Sequence, residues 1–300
     1  MAERRHLTVL VTGATGNQGG AVAHELLRRD HRVRAFTRRP GSGAARTLEA
    51  AGADVVEGSF EDAGSLRRAA EGVDAVFLMS TPFEHGVEAE QEQAIRAIDA
   101  FREVGVDHLV YSSVASADRD TGIPHFESKR RIEQHLERSE APFTVVAPVS
   151  FMENLWMQPE LREGRLSWGL PASRPLQQVA LTDLARVTAS LLERRDPYLG
   201  RRIEVASDEL TGPQAALILT DVTGYAFEYV ERSPEELAGP SEDFRKMLEW
   251  LAQEGYSVDL PKLQDELVEI DWHTFEQWAH AQDWRVLERY PPRGARPRAF

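Results

Sequence analysis

Three glycines spaced GxxGxxG, Gly13, Gly16 and Gly19 in VTGATGNQGGAV, and a lysine in HFESKRR, Lys129, are residues whose type and place could do chemistry. The glycines stand between an apolar, β-branched run, LTVLVT, and a helical pattern, AVAHELLRR. At a helix start the free N–H groups and the positive end of the helix dipole can hold a phosphate, provided no side chain blocks its approach. In that setting Gly13 makes the tight turn, Gly16 admits a pyrophosphate and Gly19 lets helix and strand pack closely. The same glycines in a plain turn would bind nothing, so the flanking strand and helix carry the reading.

The next apolar run, RVRAFT, ends in FTRRP, with Thr37, Arg38 and Arg39. A carboxylate at this strand end would hold the ribose 2′-hydroxyl of NAD(H) and repel a 2′-phosphate. Two guanidiniums instead suit a phosphate dianion through forked hydrogen bonds. The expected cofactor is therefore NADP(H). Of 35 basic residues only Lys129, Lys246 and Lys262 are lysines. A lysine kept in so arginine-rich a chain is a candidate for a place that Arg cannot fill, although Lys246 and Lys262 suggest no role.

The elements that must position these residues follow one rhythm. Apolar runs begin at 7, 32, 54, 74, 108 and 143 and alternate with helical patterns such as AEQEQAIRAIDAFREVG, apolar at Ala94, Ile95, Ile98 and Phe101. Such alternation predicts an α/β fold, a doubly wound parallel sheet of Rossmann type with helices on both faces. After Pro148 the rhythm breaks into a stretch rich in Trp, Pro and Gly. A helix at TDLARVTASLLERR and a strand at RRIEVAS then resemble one last unit. From Leu210 the chain reads as mostly helical, with a strand at AFEYVER, a helix opening at Pro240 and a final HTFEQWAHAQDW. The expected organisation is a nucleotide-binding domain of residues 1–150 plus 181–207, and a smaller, discontinuous, mostly helical lobe of 151–180 plus 208–286. A basic tail, 287–300, reads as a disordered end. All six tryptophans fall in the second lobe, most as core, while Trp156 and Trp168 could wall an apolar substrate pocket.

Composition narrows the classes. A net charge of −14 disfavours direct nucleic-acid binding, which relies on Lys and Arg to release counterions. With no cysteine there is no disulfide framework, thiolate metal site or thiol nucleophile. The nine histidines show no ligand spacing, so no metal is expected. The apolar run near the N-terminus is too short for a signal peptide, and no stretch approaches the roughly 20 residues of a membrane span. A cytoplasmic protein with a small-molecule substrate is expected, with a homodimer or a regulatory protein partner left open.

The combination of VTGATGNQGG, TRRP, GSFED, HLVYSS, HFESKRRIEQHL and PVSFMENL resembles the NmrA-like branch of the atypical short-chain dehydrogenases/reductases. That branch holds NADP(H)-sensing regulators as well as quinone and flavin reductases. The resemblance implies that Gly13, Ala14, Thr15, Gly16, Asn17 and Gln18 bind the pyrophosphate and Arg38 the 2′-phosphate. It implies that Ser59 and Phe60 flank the adenine, and that Ser80, Thr81 and Pro82 line the adjoining ribose and phosphates. Lys129 would reach the nicotinamide ribose, and the segment from Phe151 to Asn154 would close over the nicotinamide. Ser59 and Thr81 could instead cap helices, and Phe151 could fill core.

One departure concerns chemistry. Short-chain reductases pair a proton-donating Tyr with a Lys four residues later, but His125 stands four residues before Lys129. An imidazole can act as general acid near neutral pH, which makes His125 with Lys129 the candidate catalytic pair; a surface or capping histidine after Pro124 is the alternative. The position aligned with the usual catalytic Ser or Thr is Val114, beside Ser112 and Ser113. Two functions remain in view. One is a reductase passing hydride to a small apolar or conjugated acceptor such as a quinone, enone or imine. The other is a non-catalytic NADP(H) sensor acting through a partner.

Overall fold

The computed structural model of the chain describes residues 6–288; the expected basic tail lies outside them from residue 289 onward. Strands and helices alternate as β1 (Thr8–Val11), α1 (Asn17–Arg28), β2 (Arg32–Thr37), α2 (Gly43–Ala50), β3 (Asp54–Glu57), α3 (Ala63–Ala70), β4 (Ala75–Met79), α4 (Val87–Glu103), β5 (His108–Ser112), α5 (Pro124–Arg138) and β6 (Phe143–Pro148). There follow β7 (Ser150–Phe151), β8 (Arg165–Leu166), β9 (Pro175–Val179), α6 (Leu181–Glu193), β10 (Arg202–Val205), β11 (Asp208–Thr211), α7 (Gly212–Thr223), β12 (Glu228–Tyr229), α8 (Pro234–Ala238), α9 (Glu242–Gln253), α10 (Leu260–Glu266) and α11 (Phe275–His280). The chain forms two compact units, one reaching to Pro148 and resuming over Leu184–Glu204, the other spanning Val149–Asp183 and the chain from Val205.

The first unit is built on a sheet of order β10-β6-β5-β4-β1-β2-β3, with parallel pairing from β6 through β3. This is the doubly wound α/β architecture expected. Its central strands are buried on both faces, which is why they read as continuous apolar runs: Val9, Leu10 and Val11, like Val76, Phe77 and Leu78, have no exposed surface. Strand order reverses between β1 and β4, and in open parallel sheets a crevice forms there, beyond the carboxyl ends of the strands. On α4 the buried stripe comprises Glu90, Ala94, Ala97, Ile98, Ala100 and Phe101, and Ile95 lies at its half-buried edge.

In the second unit β9 lies between antiparallel β11 and parallel β7, and β8 pairs with β12. The strand expected at AFEYVER shrinks to the two residues of β12. The helix expected from Pro240 starts at Glu242, because the Ser241 hydroxyl caps it by accepting from Phe244 N. Trp168 and Trp278 are buried beside Phe275, and Trp250 is buried edge-on to Tyr256. Trp156 differs: it is 39% exposed and its ring meets that of Trp284 at 4.9 Å, tilted by 41°, outside the walls of this unit's cavity. Two carboxylates, one buried and one half-buried, tie distant segments together. Asp183 accepts from His273 N at 2.8 Å and lies 2.6 Å from its Nδ1. Glu153 accepts from Leu181 N and Trp278 Nε1, and burial raises its carboxyl above the usual range.

His108, at the head of β5, gives the first unit a defined pH response. Its Nε2 lies 2.8 Å from the Thr144 hydroxyl, which itself donates to the Tyr198 carbonyl, so His108 must donate from Nε2 and its buried Nδ1 stays without a partner. Burial, aided by the Arg195 charge, pushes the imidazole down to about 4. The unfolded chain takes up this proton near pH 6.5 and the folded chain does not. The stabilisation is therefore complete above pH 6.5 and falls away as the pH drops toward 4. Urea unfolding at pH 7 and pH 4.5 should show the native chain losing about 2–3 kcal/mol more than His108→Gln across that interval. Equal losses would mean that His108 does not govern the slope.

Candidate functional site

A crevice of about 360 Å3 opens at the carboxyl ends of β1 to β4. Its floor is set by glycine. Gly13 has φ +62°, and a Cβ there would lie 2.4 Å from Met79 Sδ. A Cβ on Gly19 would stand 2.3 Å from the Gly13 carbonyl oxygen and 2.7 Å from that of Thr12, backbone atoms with no room to yield, so α1 starts hard against the end of β1. Gly16 is the residue before α1, and no side chain caps that helix, whereas Ser42 caps α2 and Asp62 caps α3. The turn thus offers a bare helix start along a wall made by Gly13, Thr15, Gly16, Asn17 and Gln18. Ala14 and Gly19 are buried beneath it.

The other walls come from the next three strand ends: Thr37, Arg38 and Arg39 after β2, Ser59 and Phe60 after β3, Ser80 and Thr81 after β4. Arg38 donates to both oxygens of Glu84, at 3.0 and 2.7 Å, and both side chains are half exposed. Ser59 donates to Glu61, which holds that carboxyl below its usual range, and Glu61 also accepts from Gln93 at 2.7 Å. Neither hydroxyl caps a helix. Ser59 Oγ accepts from Glu61 N and Thr81 Oγ1 from Phe83 N, while α3 and α4 begin after Asp62 and Gly86. Phe60 meets Phe36 edge-on at 6.1 Å. Pro82 is buried and off the wall. Phe151 and Asn154 belong to the second unit and line its own cavity.

Behind Ser80 lies a buried ion pair. Lys129 Nζ stands 2.8 Å from Glu90 and donates to the Ser80 carbonyl at 2.8 Å and to Ser80 Oγ at 3.1 Å. Glu90, whose side chain has no exposed surface, also accepts from the hydroxyls of Ser80 at 3.0 Å and Ser128 at 2.5 Å. A tyrosine does stand beside Lys129, but it comes from β5: the ammonium sits 5.5 Å from the Tyr111 ring centre, and the phenol lies 3.4 Å from Ser80 Oγ. Burial first, then the Glu90 charge, drives that phenol well above its ordinary range, so Tyr111 stays protonated. His125, in the first turn of α5, is half-buried, edge-on to Phe126 at 4.8 Å and 6.1 Å from Phe83, and does not line the crevice.

The hydroxyls of Ser112 and Ser113, at the end of β5, are engaged. Ser112 Oγ accepts from Gln18 Nε2 at 2.6 Å, and Ser113 donates to Glu133. Glu133, raised by burial, is held by Arg202 at 3.2 Å. Arg202 also donates to the Val114 carbonyl at 2.6 Å and pairs with Glu204, which accepts from Ser116 N, where φ is +63°. Among the described residues no group of three or more His, Asp or Glu is placed to hold a metal ion, and no helix is long and apolar enough to cross a membrane.

Sequence reasoning named Lys129 and missed Glu90. The signal was present: Glu90 lies four residues before Ala94 and eight before Ile98, on the apolar stripe, and an acid there needs a partner. Removing one member of a buried pair leaves the other charge uncompensated. Lys129→Met should therefore cost about 3–5 kcal/mol in urea unfolding at pH 7, and Lys129→Met with Glu90→Gln should regain most of it. A double variant as unstable as the single one would dismiss the pair as the cause.

The model of the NmrA-like family matches residues 5–279. The (4-alkanoyl-5-oxo-2,5-dihydrofuran-3-yl)methyl phosphate reductase of Streptomyces griseus is 32% identical over 226 residues, covering 74% of this chain and 76% of its own. Among solved structures, the negative transcriptional regulator NmrA in complex with NAD matches with a TM-score of 0.79 at 18% identity, over 95% of this chain and 97% of its own. An NADPH-dependent quinone oxidoreductase of Escherichia coli, complexed with NADPH, matches at 0.77 and 23% identity, over 90% and 98%. These structural likenesses establish the fold. With the family model spanning almost its whole length, the chain belongs to the NmrA-like family.

Proposed function

We propose that the chain binds NADP(H) in the crevice and passes hydride to a small apolar or conjugated acceptor such as a quinone, an enone or an imine. The observation that carries this is the bare cradle at the head of α1, where side chains at Gly13 or Gly19 would collide with their neighbours and no residue caps the helix. It fits a pyrophosphate. Gly13 to Gln18 would hold it, Thr37 and Arg38 the 2′-phosphate, Ser59 and Phe60 the adenine, and Ser80 and Thr81 the adjoining ribose. Lys129 would serve the nicotinamide end, and residues 151–180 plus 208–286 would form the substrate lobe. When bound, the nicotinamide supplies the hydride.

Arg38 is paired with Glu84, but that does not argue against the 2′-phosphate. An exposed ion pair is worth about 0–1 kcal/mol, whereas hydrogen bonds to a charged group bring about 1.5–3. A dianion therefore displaces Glu84. The nature of the acceptor follows from what the chain lacks at residue 125. With histidine in place of a phenol four residues before Lys129, acceptors whose negative charge delocalises need the least help. The named substrate of the Streptomyces relative, an oxo-dihydrofuran bearing an alkanoyl group, is of that conjugated kind.

A second reading, a sensor that binds NADP(H) without turnover, draws support from Lys129, whose ammonium is taken up by Glu90 and Ser80. Single-turnover oxidation of bound NADPH, tried with quinones, enones and imines, separates the two. Oxidation by at least one acceptor is expected; none, together with a cofactor-dependent change in oligomer size, would favour the sensor. Arg38→Ala should raise the Kd for NADPH about tenfold or more and leave that for NADH unchanged. Equal affinity of the native chain for both cofactors would remove the NADP(H) assignment.

A further inference from the structure

One carboxylate on the crevice wall stands against the ligand proposed for it. Glu84, in the connection from β4 to α4, lines the crevice and takes both of its bonds from a single nitrogen of Arg38, Nη2, at 3.0 and 2.7 Å. A phosphate oxygen that accepts from Nη2 must therefore stand where a Glu84 oxygen stands now. The pair contributes little to the fold, because both side chains are half exposed. The segment that carries Glu84 has bonds of its own: Phe83 N donates to Thr81 Oγ1 at 3.3 Å, and Gly86 N to the Pro82 carbonyl at 2.8 Å. The charged residues on the crevice walls are Arg38, Arg39, Glu61 and Glu84. Of the two acids, Glu61 is occupied by Ser59 and Gln93, whereas Glu84 is set on the arginine.

We propose that Glu84 sets the margin by which the crevice prefers NADP(H) to NAD(H): it contests Arg38 with the 2′-phosphate of the one and accepts from the ribose 2′-hydroxyl of the other. The second role follows from the first. An acid close enough to hold Nη2 borders the place of the 2′-oxygen, and a carboxylate on the 2′-hydroxyl is how NAD sites are built. Such sites place the acid at the end of the second strand. Here that strand ends in arginines, and the acid arrives from the connection after β4. With NADP(H) the phosphate takes Nη2 and Glu84 turns to solvent; with NAD(H) the pair stays closed and the hydroxyl donates to Glu84. NADP(H) remains preferred, but by less than the arginines alone would give. The proposal rests on the reading of the crevice as the nucleotide site.

Titration calorimetry of the native chain and Glu84→Ala with NADP+ and with NAD+ at pH 7 tests it. Relative to the native chain, Glu84→Ala should bind NADP+ about three- to tenfold tighter and NAD+ about threefold or more weaker, with Tm unchanged. The opposite signs carry the test. Mere loss of negative charge from the crevice would tighten both cofactors, since both bring a pyrophosphate. Glu84→Gln, whose carboxamide oxygen still accepts from a hydroxyl, should tighten NADP+ and hold NAD+ within about twofold. In an Arg38→Ala background Glu84→Ala should lose most of its gain for NADP+, because no guanidinium is left to contest. Both cofactors shifting the same way in Glu84→Ala, an unchanged Kd for NADP+, or the full gain kept without Arg38 would each overturn the proposal. The two readings fail separately. A native chain that binds NADP+ with a preference that Glu84→Ala does not alter keeps its cofactor and removes the role of Glu84, whereas a native chain that binds neither cofactor removes both.

Discussion

The carboxylate of Glu90 is the constraint around which the first unit is organised. Placed on the buried stripe of α4, it can persist as an anion only if the surroundings replace the water it has lost. They do so with the ammonium of Lys129 and the hydroxyls of Ser80 and Ser128. Those partners come from α5 and from the end of β4, so satisfying a single acid pins two helices and the strand end that forms one wall of the crevice. Lys129 is in turn directed at the Ser80 carbonyl rather than outward. The ordering of that wall thus follows from the cost of burying one charge.

A second buried acid, Glu133, does for the end of β5 what Glu90 does for β4. It stands on the inner face of α5, four residues after Lys129, and draws Ser113 and Arg202 toward it. Arg202 then reaches the Val114 carbonyl and Glu204, and Glu204 the backbone of Ser116. Val114, aligned with the usual catalytic Ser or Thr of short-chain reductases, is here held by its carbonyl in a structural network.

How far the sequence discloses this depends on the range of the interactions. Local patterns were legible: the strands begin within a residue of the apolar runs, and the glycine turn stands where its spacing between strand and helix put it, because burial on both faces and lack of a Cβ are properties of short segments. Glu90 and Glu133 were legible in principle, as acids on apolar stripes. Their partners were not, since Arg202 lies 69 residues from Glu133 and no spacing rule spans that gap. In the second unit, β7, β8 and β12 are two residues each, too short to leave a periodicity. Trp156 shows the same limit: composition places it in the aromatic lobe, while only the fold shows that its ring rests on Trp284 in partial contact with solvent.

The hydrogen bond from Gln18 to Ser112 links the first turn of α1 to the end of β5, passing across the intervening β4. At 2.6 Å it fastens the glycine turn to the opposite half of the sheet. A turn so tethered has surrendered its freedom during folding, so that a phosphate bound there, as proposed, would find the amides preorganised. The entropy of ordering the turn is then charged to folding stability, and correspondingly less would be deducted from the affinity for a nucleotide held there.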